Sequence, residues 1–99
     1  MKTLKELAFD LIDTYKPDEI SLHLKKNTIF IFFDDLSNFK VAIQKAKMKN
    51  VTVEEDTLLN IYKSKCVMFG IEVNFWCMIY NQTKTQKVSI KGVDELENS

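Results

Sequence analysis

Catalysis and metal binding require side chains that converge, and this chain of 99 residues offers few that could. There is one histidine, His23, two cysteines, Cys66 and Cys77, and an adjacent carboxylate pair, Asp34 and Asp35. Nucleophilic catalysis would need a Ser or Cys within reach of His23 and a third group to orient the ring. No such arrangement shows in the spacing, and His23 falls on the polar side of an alternating segment. The ten residues between the two cysteines match no zinc spacing, and no Asp-rich loop follows the calcium-binding pattern. Asp34 and Asp35 end an apolar run, where a carboxylate pair can hold Mg²⁺ but is more often a solvated strand terminus. Pro17-Asp18 invites comparison with nucleases, yet Glu72 is followed by Val73 and Asn74 and the Glu-x-Lys pair is missing. With only Gly70 and Gly92, no phosphate-cradling loop can be assembled. The expectation is a non-enzymatic protein without metal or cofactor.

Binding remains, and here charge and residue type are informative. Fourteen Lys balance fourteen Asp and Glu, and none of the cations is Arg. The chain therefore has no global field to attract nucleic acid or anionic lipid, and it lacks the planar fork that grips phosphate and carboxylate bidentately. Charge is nevertheless segregated: residues 1–39 carry −2, 40–51 carry +4, 52–62 carry −3, 63–91 carry +4 and 92–99 carry −3. Lys40, Lys45, Lys47 and Lys49 form one basic block, and Lys84, Lys87 and Lys91 form another. Both could track a phosphate backbone by point charge, with salt-sensitive binding and little base readout. With zero net charge, the simpler expectation is that these lysines cover solvent-facing surface.

Trp, Tyr and Met are enriched at the centres of protein interfaces. Met68, Trp76, Met78 and Tyr80 share one parity of the most hydrophobic stretch, Cys66 to Tyr80. Three helices are expected for two sheet faces, which favours a covered face; left uncovered, these four would form one patch. The functional expectation is an interaction module that binds a protein partner, or itself as a homodimer, through this aromatic strand. Nucleic-acid association through the lysine blocks is the alternative.

The elements that must position these residues follow from periodicity. Thr3-Leu4-Lys5-Glu6 reads as a capping box, and Leu4, Leu7, Ala8, Leu11, Ile12 and Tyr15 form the apolar stripe of the helix it opens, closed by Pro17. From Ile20 the period becomes two, then Lys25-Lys26-Asn27 marks a turn, and Thr28 to Phe33 is apolar on both parities. Leu36 to Asn50 fits both strand alternation and helix spacing. Ser37 or Asn38 as N-cap and the Ala/Lys/Gln/Met-rich second half favour helix. A second capping box, Thr52-Val53-Glu54-Glu55, predicts another helix with Leu58, Ile61, Tyr62 and Lys65 as its stripe. Cys66 to Tyr80 reads as one long strand with a bend, bulge or break near Gly70. If it were regular, the odd separation of the cysteines would put them on opposite faces. Val88 and Ile90 mark a short last strand. The order αββααββ predicts an α+β fold: a four-stranded, mostly antiparallel sheet with two to three helices, one domain over 1–92 and an acidic tail over 93–99.

The charged N-terminus lacks the apolar core of a secretory signal, and no window reaches the ~18 apolar residues of a membrane span. Two reduced thiols in the cytoplasm, and no membrane contact, are the corresponding expectations. The choice of Lys over Arg throughout is what an AT-rich coding sequence gives, and it points to a low-GC bacterium or to one of its phages or mobile elements. Small proteins from phages or mobile elements often inhibit or regulate host complexes.

Overall fold

The computed structural model describes residues 2–80. The strand expected at Val88 and Ile90, the acidic tail and Lys84, Lys87 and Lys91 lie outside the described residues. The chain order is α1 (Leu4–Tyr15), β1 (Glu19–His23), β2 (Thr28–Phe33), α2 (Leu36–Lys45), β3 (Thr52–Glu55), β4 (Leu59–Met68) and β5 (Ile71–Tyr80). The fold is α+β as expected, but the sheet is mixed and five-stranded, with order β1-β2-β5-β4-β3, and two helices accompany it. All neighbours are antiparallel except β2 and β5, which run parallel at the centre. A parallel pair needs a crossover. Here α2 and the β3–β4 hairpin supply it.

The capping box forms as read: the Thr3 hydroxyl accepts from the Glu6 amide at 3.1 Å, and the Glu6 carboxylate accepts from the Thr3 amide at 2.9 Å. Lys16 ends α1 in the left-handed region, just before Pro17. Leu7, Ala8 and Leu11 of α1, with Phe39, Ala42 and Ile43 of α2, are buried against one face of the sheet. That face presents Ile29, Ile31 and Phe33 from β2 and Ile71, Val73, Phe75 and Cys77 from β5. Rings lock the layers together: Phe33 meets Phe39 at 6.1 Å, and Tyr15 meets Phe75 edge-on at 5.2 Å. Each fully buried large side chain contributes roughly 1.5–3 kcal/mol. The core is this one sandwich of two helices on the sheet.

Three expectations are corrected. The helix predicted from Thr52 is absent, and its residues form β3 and the first half of β4. Thr52 and Val53 are β-branched, and pairing β3 to β4 lets Lys63 reach Glu54 at 2.7 Å across the ladder. The four-residue capping signal loses to pairing with the strand that follows it in the hairpin. Second, α2 is capped by Asp35, whose carboxylate accepts from the Ser37 amide at 2.7 Å, and neither Ser37 nor Asn38 takes that role. Third, the break expected near Gly70 is present but is a complete reversal, so the segment joins two paired strands, β4 and β5, in place of one long strand. Met68 pairs with Ile71, and the two residues between them, Phe69 and Gly70, have φ of 52° and 75°. Positive φ at both central residues is the type I′ pattern that matches strand twist in two-residue hairpins.

Phe69 is an unusual occupant of such a turn, since a bulky side chain in the left-handed region costs about 1–2 kcal/mol. Lys2 lies over its ring at 5.5 Å and recovers part of that. Phe69→Asn is therefore expected to raise the thermal unfolding midpoint by a few degrees, a gain of about 0.5–1 kcal/mol. An unchanged or lowered midpoint in a calorimetric scan would show that the contact with Lys2 outweighs the backbone strain.

Candidate functional site

Both helices pack on one face of the sheet, and the opposite face carries no helix among the described residues. Strand register defines its rows. Glu19, Phe32, Trp76, Lys63 and Thr52 lie side by side from β1 to β3, and the next row is Ser21, Phe30, Asn74 and Lys65. On the other side of Trp76, Met78 stands beside Ile61, and Tyr80 beside Leu59. The centre of this open face is aromatic. Trp76 meets Phe30 edge-on at 5.7 Å and Phe32 at 6.1 Å, while Phe30 and Phe32 lie 6.4 Å apart and nearly parallel. Such pairs stabilise by about 0.5–1.5 kcal/mol beyond burial, which holds the cluster rigid before anything binds.

Polar groups frame it. The Lys63 ammonium sits 4.7 Å above the Trp76 ring while bridging to Glu54, and the His23 ring lies 4.8 Å from Phe30. Asn74, buried beside Phe30, donates to the Glu72 carboxylate at 3.1 Å. A concavity of about 600 Å³ opens over this region, lined by Phe30, Trp76, Asn74, Lys63, Lys65 and Thr52. The face carries Lys63 and Lys65 against Glu19, Glu54 and Glu72, so it has no excess of positive charge.

The four residues of the expected patch separate. Trp76, Met78 and Tyr80 stand together on the open face, where Met78 is 42% and Tyr80 70% exposed. Met68 is removed from them, because the two-residue turn puts it opposite Ile71 on the helix side, packed against the core. Phe30, Phe32 and Ile61 join the patch without having been singled out. Phe30 and Phe32 alternate with core residues in a run apolar on both parities, which reads as a strand buried on two sides. Lys63 and Lys65 were hidden in a segment read as helix. Their spacing of two was the available signal.

Two members of the first lysine block, Lys40 and Lys45, lie in the other layer, on α2. Lys40 rims a groove of about 380 Å³ between α2 and the β3–β4 hairpin, and Lys45 donates to the Thr14 carbonyl of α1 at 3.0 Å. Because α2 ends at Lys45 and Lys47 has φ of 58°, Lys47 and Lys49 lie beyond the helix that carries Lys40 and Lys45.

The remaining chemical candidates are accounted for locally. Asp34 donates its amide to the Asp18 carboxylate at 2.8 Å, and Asp35 caps α2. Among the described residues no group of three or more His, Cys, Asp or Glu is placed to hold a metal ion. His23 is exposed, with the Ser21 hydroxyl 3.4 Å from its Nε2. Among the described residues no helix is long and apolar enough to cross a membrane. The turn at Phe69 and Gly70 removes the regular strand on which an opposite-face placement of the cysteines depended, and both face the helices. Cys66 pairs with Val73, four residues before Cys77, which separates the two by about 13 Å at ~3.3 Å per residue. That is beyond the ~7 Å limit for a disulfide. Comparison with protein-family models, with curated proteins and with solved structures finds no match for this chain.

Burial, with Asp35, Asp34 and Asp18 nearby, pushes the Cys77 thiol up to about 11 from an ordinary value of 9.0. Two units leave about 100-fold less thiolate at pH 8. Cys77 is therefore expected to react with iodoacetamide at least about 100-fold more slowly than a free thiol in the folded protein, and at the ordinary rate in denaturant. Mass spectrometry of the labelled peptides measures both. Equal labelling of Cys77 before and after unfolding would contradict its place in the core.

Proposed function

We propose that this protein is a non-enzymatic interaction module, a regulator or inhibitor that acts by covering part of a partner protein with the open face of its sheet. One observation carries this reading: an ordered cluster of Phe30, Phe32 and Trp76, continued by Ile61, Met78 and Tyr80, on a sheet face that neither helix covers. A rigid aromatic centre ringed by Lys63, Lys65, Glu72 and His23 has the make-up of a protein-binding surface, with an apolar middle and a polar rim. The matching partner surface is flat and apolar, with an acidic group to meet Lys65 and a basic one to meet Glu72. The lysine-only cation set accords with a gene of a phage or mobile element, for which occupying a host complex is the natural mode of action.

A second reading, binding of single-stranded nucleic acid, is favoured by the concavity in which Lys63 and Lys65 flank Phe30 and Trp76. Charge weighs against it. Glu54 neutralises Lys63 directly, three carboxylates share the face, and Lys40 and Lys45 lie on α2 in the helix layer.

The two readings separate under substitution. Met78→Lys adds a cation at an exposed position and leaves the core untouched. It is expected to weaken capture of the partner from the native host by at least about 10-fold, the scale of a charge buried in an apolar interface, whereas Val41→Lys in α2 leaves capture unchanged. Retention on heparin at about 50 mM salt, strengthened by Met78→Lys and lost at moderate salt, would instead establish nucleic-acid binding. Equal capture by wild type and Met78→Lys would remove the open face from the account.

A further inference from the structure

The outer strand β1 is complementary to itself. Among the described residues nothing pairs with its outer side, so alternate backbone N–H and C=O groups face outward, as they do in any edge strand. From Asp18 to Lys26 the sequence reads Asp-Glu-Ile-Ser-Leu-His-Leu-Lys-Lys. Laid antiparallel against a second copy with Leu22 at the two-fold axis, Glu19 comes opposite the partner copy's Lys25, in the turn that follows β1. Ile20 meets Leu24, Ser21 meets His23, and Leu22 meets itself. Across residues 19–25 the acid faces a base, every apolar residue an apolar one, and no like charges oppose. An isologous contact requires such a match of one patch with its own rotated copy.

Apolar side chains are exposed along the same edge. Leu22 of β1, on the helix side of the sheet, is 39% exposed, and Leu24, the first residue of the turn that follows, is 77% exposed. Ile12 of α1 is 38% exposed. Exposed, unpaired edges are usually guarded by inward charges, proline or a bulge. Here the charges sit at the two ends with opposite sign and leave Ile20, Leu22 and Leu24 between them.

The geometry points to a homodimer in which β1 pairs antiparallel with β1 of a second copy, joining two five-stranded sheets into one of ten strands. Pairing by the edge leaves the face that carries Trp76 free on both copies. The inference thus stands independently of the partner assigned to that face.

Sedimentation velocity of the full chain over a range of concentrations tests it. The wild-type chain is expected to form a dimer that weakens as salt rises. Glu19→Lys alone and Lys25→Glu alone are each expected to weaken dimerisation at least about 10-fold. An equimolar mixture of the two variants is expected to restore a dimer, because each like-charged edge then meets its opposite. Met78→Lys is expected to dimerise as wild type. A wild-type chain that stays monomeric at millimolar concentration overturns the inference, as does a dimer indifferent to both charge reversals. A dimer lost with Met78→Lys but kept with Glu19→Lys would place the contact on the open face and overturn it equally.

Discussion

The parallel pairing of β2 with β5 is the constraint from which the rest of the structure follows. Parallel strands cannot be joined by a tight turn, so the chain must leave the sheet after Phe33 and return at Ile71. It uses that excursion to lay α2 on the face where α1 already packs, and then to build β4 and β3 outward from β5. Ile29, Ile31 and Phe33 thereby meet Val73, Phe75 and Cys77 under both helices. Once both helices lie on one side, Phe30, Phe32 and Trp76 must gather on the other. The aromatic centre is a consequence of topology and strand parity together.

How much of this was legible in the sequence depended on how local each cause was. The α1 helix, with its Thr3–Glu6 box and its stop before Pro17, is governed by hydrogen bonds and backbone restrictions within a few residues, and it stood out clearly. So did β1 with its two faces, whereas α2 fits strand alternation as well as helix spacing and was favoured only by its composition and a neighbouring cap residue. Thr52-Val53-Glu54-Glu55 carries the same local signature as the true cap but forms an edge strand, because its outcome is decided by β4 and the Lys63–Glu54 bridge. A window the length of the capping box does not contain that information, because it ends before the strand that pairs with it begins.

The interface candidates show the same division. Trp76, Met78 and Tyr80 share a face because they lie at spacings of two within one strand, which parity alone conveys. Met68 has the right parity and the wrong face, because Phe69 and Gly70 form a turn that resets the count. Phe30 and Phe32 were invisible as surface residues, since nothing in Thr28–Phe33 distinguishes the side that helices cover from the side they leave open. Lys63 and Lys65 were likewise concealed by the helix reading of their segment. Residues contributed by β2 and β4 to a site centred on β5 become visible only through the strand order.

The central claim is that, of the sheet's two faces, the described residues cover one and leave the one carrying Trp76 open. Hydroxyl-radical footprinting of the free protein tests it most directly, because side chains of comparable reactivity on the two faces report their solvent access in one experiment. The account predicts ready oxidation of Met78 and Tyr80 and measurable oxidation of Trp76, with Phe33, Phe75 and Cys77 protected until the chain unfolds. Protection of Met78, Tyr80 and Trp76 to the level of Phe75 would show that the aromatic face is interior, and would contradict it.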